Sequence, residues 1–143
     1  MNVAQILKQK GRDVLTIQPH HTLQHAGEEL GRRRVGAVVV ADAAGRVLGI
    51  LSERDIVRAI GAQGGEALAD PVSKHMTANP ITVGEEADID ELMRAMTDGR
   101  FRHLPIVESG RLVGIVSLGD VVKYHVDALH HERDSLREYI ASA

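Results

Sequence analysis

Gly49-Ile50-Leu51-Ser52-Glu53-Arg54-Asp55-Ile56-Val57 decides how this chain is read, because the pattern is written twice. Sixty-five positions later stands Gly114-Ile115-Val116-Ser117-Leu118-Gly119-Asp120-Val121-Val122. Both copies run glycine, two aliphatics, serine, two variable residues, aspartate and two more aliphatics. An internal repeat sets the frame for everything around it. Val47 to Leu51 and Leu112 to Val116 are short, apolar and rich in β-branched residues, so each predicts a buried strand. The serine ends the strand, and the aspartate falls three residues into the helix that follows. Two chemistries fit. Ser52 and Ser117 can be helix N-caps, with Asp55 and Asp120 in first turns where the helix dipole favours an anion. Alternatively, a hydroxyl, a carboxylate and free helix N–H groups together can hold a phosphate and both hydroxyls of a ribose.

Working outward, the flanks repeat too. Val3 to Lys8 is a short amphipathic opening broken at Gly11-Arg12-Asp13, and Val72-Ser73-Lys74-His75-Met76 echoes it. Val14-Leu15-Thr16-Ile17 reads as a strand stopped by Pro19, with Ile81-Thr82-Val83 as its counterpart 66 positions on. Thr22 caps a helix through about Arg33, and Asp88-Ile89-Asp90-Glu91 is a capping box opening its counterpart. Gly36 to Val40 and His103 to Val107 are buried strands, the second at a sheet edge because Pro105 cannot donate to a ladder. Asp42-Ala43-Ala44-Gly45 and Ser109-Gly110 are the turns after them. A helix from Glu53 to about Ile60 is ended by Gly61. The expected organisation is a first repeat at 1–62, a linker at 63–70, a second repeat at 71–126 and a helical extension at 127–143. Each repeat runs strand, helix, strand, strand, helix, an α/β (α+β) unit that buries its sheet fully only against its twin, about a pseudo-twofold axis. Beyond the repeat, Val122, Val126, Leu129, Leu136 and Ile140 form an apolar seam on a long helix. That seam can pack on its own repeat or on a second copy; its length favours a dimer contact.

Composition narrows the function classes. The 143 residues suffice for one compact domain or two small halves sharing a core. Lys+Arg 17 against Asp+Glu 20 gives a net charge of −3, which argues against nucleic acid as the main partner. There is no cysteine, hence no disulfide and no thiolate metal site, which suits a reducing cytoplasm. The N-terminus does not read as a signal peptide and no apolar run approaches membrane-spanning length, so a soluble cytoplasmic protein is expected. Three aromatics (Phe101, Tyr124, Tyr139) give no stacking platform for single strands. Eight histidines include His21 and His25 one turn apart and the adjacent His130 and His131, without a carboxylate set at ligand spacing. Arg32-Arg33-Arg34 closes a helix end where cations are favoured and reads as a solvated face, the alternative being phosphate contacts beside Asp120. No nucleophile elbow, P-loop or dinucleotide-fold glycine pattern is present, so no catalytic residue is assigned.

Two copies of strand-helix-strand-strand-helix, each with Gly-h-h-Ser-x-x-Asp (h, an aliphatic), and Arg102-His103-Leu104-Pro105-Ile106-Val107 before the second, resemble a pair of CBS domains, the arrangement called a Bateman module. The resemblance runs from Val3 to Tyr124. It implies a module that binds adenosine compounds (AMP, ADP, ATP, NAD or S-adenosylmethionine) in two clefts, each built crosswise from both repeats. Carried over, the first cleft combines Ile50, Ser52, Arg54 and Asp55 with Asn79, Pro80, Ile81, Phe101, Arg102 and His103. The second combines Ile115, Ser117 and Asp120 with Asp13, Val14, Leu15, Val35, Gly36 and Ala37. The aspartate would hold ribose, the serine ribose or α-phosphate, and aliphatics such as Ile81 or Leu15 would flank adenine. With Arg54, Arg102 and His103, the first cleft should hold phosphate better; the second has Gly119, Gly36 and Ala37 at those places, plus Asp13. The expectation is a stand-alone, non-enzymatic adenine-nucleotide sensor, requiring no cofactor beyond its regulatory ligand and acting by conformational change on an unknown protein partner, as a homodimer. The competing expectation is a constitutive dimerisation or scaffold module whose Ser-x-x-Asp serves only as a cap.

Overall fold

The computed structural model describes residues 2–142. In chain order the elements are α1 (Val3–Lys10), β1 (Thr16–Ile17), α2 (Leu23–Arg33), β2 (Ala37–Ala41), β3 (Val47–Ser52) and α3 (Glu53–Gln63). A 3-10 helix follows at Gly64–Ala69, then α4 (Val72–His75), β4 (Thr77–Ala78), α5 (Ile89–Gly99), β5 (His103–Glu108), β6 (Arg111–Ser117) and α6 (Leu118–Ser142). The repeat is visible in the backbone. β2 and β3 form one antiparallel hairpin with a register shift at Val40/Ala41, and β5 and β6 form another with the shift at the equivalent Ile106/Val107. Thr22 and Asp88 are the matching N-caps of α2 and α5, accepting from the His25 and Glu91 N–H groups.

The two hydrophobic cores do not follow the two repeats. Val3, Ile6 and Leu7 of α1 are buried with Leu92, Leu104, Ile106 and Val116 of the second repeat. Val72 of α4 is buried with Leu23, Val38, Val40 and Leu51 of the first, and Met76 packs beside it. Each opening helix has crossed to the other half. The crossing is symmetric: Asn2 bridges Asp88 while Pro71 bridges Thr22, so each opening segment is paired with the opposite helix cap. Glycine makes the approach possible. A Cβ on Gly114 would stand 2.7 Å from Leu7 Cδ2, and one on Gly49 would stand 2.5 Å from Met76 Sδ and 2.8 Å from the Thr77 carbonyl. The exchange places the start of each repeat beside the Ser-x-x-Asp turn of the other, about a pseudo-twofold axis.

Three sequence expectations are corrected. α3 runs through Gly61 to Gln63 and is closed by Gly64 at φ 75°, whose N–H reaches the Ile60 carbonyl; a single internal glycine weakens a helix without ending it. Within the expected linker, Gly64–Ala69 forms a 3-10 helix with Ala67 buried in the first core, which leaves the domain bounds as they were. Ile81-Thr82-Val83 is not a strand, and the ladder there is a single parallel bridge from Val83 to Ile106. The cause is Pro105. In the first repeat the Val39 N–H donates to the Leu15 carbonyl at 3.1 Å, which anchors β1 on β2. Pro105 occupies the position of Val39 and has no N–H to offer Ile81, so the equivalent rung cannot form. Val14 and Leu15 likewise precede the strand, which is limited to Thr16–Ile17. Among the described residues, no helix is long and apolar enough to cross a membrane.

Candidate functional site

At the end of β3 the chain turns into α3 on Ser52. Its Oγ accepts from the Asp55 N–H at 3.3 Å, and Asp55 Oδ2 accepts from the Ser52 N–H at 2.8 Å and from Ser52 Oγ at 3.1 Å. The reciprocal pair is a capping box, so the structural role foreseen for this motif is filled. It consumes one carboxylate oxygen. Oδ1 has the Arg58 Nη1 at 3.9 Å, too long for a hydrogen bond, and so keeps its lone pairs for another donor.

All ten residues assigned to the first cleft line a single cavity of about 980 Å³. Ile50, Ser52, Arg54 and Asp55 come from β3 and α3. Asn79, Pro80 and Ile81 come from the segment after β4, which reaches the cavity because Thr77 pairs with Ile50. Phe101, Arg102 and His103 come from the α5–β5 connection. Asn79 holds a left-handed φ of 49°, the bend that carries the chain from β4 into the wall. Ile81 is 54% exposed, an aliphatic face open to whatever the cavity holds.

The cavity also contains residues that the motif comparison passed over. Arg58, Arg100 and Lys123 join Arg54 and Arg102, making five cations against Glu53 and Asp55. A signal for two of them was present: Arg58 and Lys123 each stand three residues after the motif aspartate, one helical turn on, in both copies. Gly36, Ser117, Leu118, Gly119 and Val122 line the same space, so it extends toward the second motif. His103 lies at this junction. A Cβ on Gly36 would stand 3.3 Å from His103 Nε2. Burial lowers the His103 pKa, and Lys10 and Arg102 add to this against the opposing pull of Asp120 and Glu53, so the ring is neutral at pH 7.

The second cleft is assembled differently. The Ser117 cap repeats that of Ser52: the Asp120 N–H donates to Ser117 Oγ at 3.1 Å and the Ser117 N–H to Asp120 Oδ2 at 2.8 Å. Asp120 Oδ2 is also paired with the Lys10 ammonium, which donates in addition to the Ile115 carbonyl at 2.8 Å. Burial pushes the Asp120 carboxyl up, but Lys10 and the Ser117 N–H outweigh it and hold it below the ordinary carboxylate range. Gly36 and Ser117 of this set open on the large cavity. Ala37 is buried, Leu15 packs on the first core, Val14 is half-buried, and Asp13 and Val35 are exposed. Lys10 escaped the sequence reading because it lies 110 positions from Asp120 and outside the repeated motif.

His21 and His25 stand beside each other at the start of α2. His21 Nδ1 accepts from the Gln18 N–H at 3.1 Å, and its ring stands 4.6 Å from that of His25. Among the described residues, no group of three histidine or carboxylate side chains is placed to hold a metal ion.

Comparison with known proteins places this geometry. The family model described as CBS domain matches residues 3–62 and again 72–127. The crystal structure of a CBS-domain containing protein from Agrobacterium tumefaciens is 47% identical, with a TM-score of 0.85, covering 87% of this chain and 99% of that one. A CBS domain protein from Pyrobaculum aerophilum, solved in complex with AMP, is 27% identical with a TM-score of 0.76, covering 84% of this chain and 89% of the other. A CBS domain-containing protein of Arabidopsis thaliana is 36% identical over 80% of this chain, which spans only 20% of that relative's length.

Proposed function

The chain belongs to the CBS-domain family, and on that premise we propose that it is a non-enzymatic sensor of an adenine nucleotide, bound in the cavity over Asp55. The observation that carries this reading is the unspent Asp55 Oδ1 at a helix start, in a cavity with five cationic side chains. Ribose hydroxyls donate to the carboxylate, which is the stronger kind of hydrogen bond. Phosphate meets the α3 N-terminus and the guanidinium groups of Arg54, Arg58, Arg100 and Arg102. Adenine lies against Ile50 and Ile81. The volume is at the upper end of what small-molecule sites offer, roughly 300–1,000 Å³. AMP on the Pyrobaculum relative supports the adenosine class. Among AMP, ADP, ATP, NAD and S-adenosylmethionine, the cation count favours the four that carry phosphate.

The cavity wall comes from both repeats, so a bound nucleotide couples α3 to the start of α6, where Leu118, Val122 and Lys123 line the same space. Beyond Tyr124, α6 leaves its own core: Leu129, Leu136, Tyr139 and Ile140 are 51%, 57%, 73% and 71% exposed. That face supports a homodimer through α6, with ligand binding biasing how the helices sit and so what a partner protein meets.

Calorimetric titration with AMP and with adenosine tests the reading. The chain is expected to bind AMP more tightly than adenosine, and Arg102→Ala should remove most of that difference while leaving adenosine affinity unchanged. Binding of neither compound, with an unshifted melting temperature, would leave the constitutive scaffold, in which Ser52 and Asp55 are caps alone.

A further inference from the structure

We infer that Lys10 is a tethered occupant of the second cleft, holding the Asp120 site closed to nucleosides so that the module carries one open nucleotide site. The inference rests on the nucleotide reading of the first cavity. Its basis is the pair of acceptors that Lys10 takes. The ammonium binds the Asp120 carboxylate and the Ile115 carbonyl together, two groups from opposite ends of the motif turn. In the first repeat the corresponding groups are differently engaged. Asp55 has only a distant Arg58, and Ile50 is paired through its backbone with Thr77 of β4. Both aspartates keep Oδ1 for a further donor, but the Asp120 carboxylate already carries an ammonium on Oδ2 and the Asp55 carboxylate does not.

The placement of Lys10 follows from the crossed fold. Leu7 is anchored over Gly114 in the second core, and α1 runs three more residues to Lys10, its last. The Asn2–Asp88 bridge fixes the start of the helix, and an Arg12–Glu85 ion pair fixes the chain just after it. Lys10 is thus held from both sides at the β6–α6 turn. An ammonium there neutralises the carboxylate that would accept ribose hydroxyls and occupies the space beside it. A nucleoside must displace it and leave a charge behind, whereas at Asp55 the Arg58 guanidinium stands back at 3.9 Å from Oδ1. Lys10 also bears on His103, whose proton affinity it lowers, so the clamp reaches the wall of the open cavity.

The test is calorimetric stoichiometry with AMP and adenosine on the full chain, on Lys10→Met and on Lys10→Met/Asp120→Ala, each first compared by melting temperature. Lys10→Met keeps the aliphatic stem and removes the charge. Expected are one site per chain in the parent, two in Lys10→Met, and one again in the double variant. Lys10→Gln, which keeps a donor, should give a second site at least tenfold weaker than that of Lys10→Met. Two sites in the parent overturn the inference, as does one site in a folded Lys10→Met. Zero sites in parent and variants alike overturn the nucleotide reading itself, and the inference with it.

Discussion

The Ser52–Asp55 and Ser117–Asp120 turns are the same piece of chemistry in two settings. Both are capping boxes with a serine Oγ accepting from the aspartate N–H and the aspartate Oδ2 accepting from the serine N–H at 2.8 Å. What separates them comes from the opposite half. Beside Asp55 pass Thr77 to Ile81, whose backbone pairs with β3 and whose side chains open a wall. Beside Asp120 stands the end of α1, whose lysine pairs with Oδ2 of the carboxylate. The motif therefore builds a helix start in both halves, and on the proposed reading the crossed-over opening segment decides whether that helix start can also bind a ligand. In a repeat protein with exchanged segments, identity of motif does not make identity of site.

The sharpest way to break the comparison is to remove each carboxylate in turn. Asp55→Ala should weaken AMP binding by about 100-fold, since two hydrogen bonds to a charged group are worth about 3 kcal/mol together. Asp120→Ala should leave AMP affinity at the first site within about twofold, as its carboxylate is paired with Lys10 and is absent from the lining of the first cavity, while both variants lose a cap worth about 1 kcal/mol of stability. Equal loss of AMP affinity in the two variants would erase the distinction between the clefts. Melting curves run alongside separate ligand loss from unfolding.

The crossing points offer a second contrast. Gly49→Ala would drive a Cβ to 2.8 Å from the Thr77 carbonyl, which is backbone and can retreat only by moving β4. Gly114→Ala meets the Leu7 side chain at 2.7 Å, a terminus that can turn within its core. Overpacking costs roughly 1–3 kcal/mol, and Gly49→Ala should lie at the upper end and Gly114→Ala at the lower. Only Gly49→Ala should also reduce AMP binding, because β4 leads directly into Asn79 to Ile81. Chemical denaturation and titration of the pair check both parts.

These contrasts mark what was legible beforehand. Caps, hairpins and the pseudo-twofold repeat are local or periodic, so Ser52, Thr22, Asp88 and the β2–β3 turn could be read from neighbouring residues. The loss of the Ile81–Val83 strand was foreseeable in principle from Pro105, whose missing N–H removes a rung that Val39 supplies in the other copy. The exchange of α1 and α4 was not legible, because an amphipathic helix shows that it has a buried face and says nothing of whose core receives it. Lys10 followed that blind spot. The residues carried over to the second cleft included Asp13 and no cation, whereas in space a lysine from 110 positions away pairs with the Asp120 carboxylate.

The smallest expected difference is acid sensitivity, and it bears on the same pair. Asp120 is held below the ordinary carboxylate range in the folded chain: burial works against this, and Lys10 with the Ser117 N–H prevails. In the unfolded chain it titrates normally. As pH falls, the unfolded state takes up this proton first, so the stability that the pair contributes is whole above about pH 5 and fades as pH drops through the lowered folded value. The Lys10 and Asp120 side chains are 32% and 25% exposed, so solvent screening keeps the contribution within about 1 kcal/mol. Asp42 and Asp70 are lowered too, Asp42 chiefly by the Arg46 N–H and Asp70 chiefly by His75, but both are unchanged by substitution at position 10 and cancel in a difference; His103, lowered chiefly by burial and further by Lys10, does not cancel and adds to the difference in the same direction. Urea unfolding at pH 6 and pH 3.5 should therefore show the parent losing more stability than Lys10→Met, by about 0.5–1 kcal/mol. Equal losses would mean that Lys10 is free in solution; Asp120 would then resemble Asp55, and two open sites would be expected.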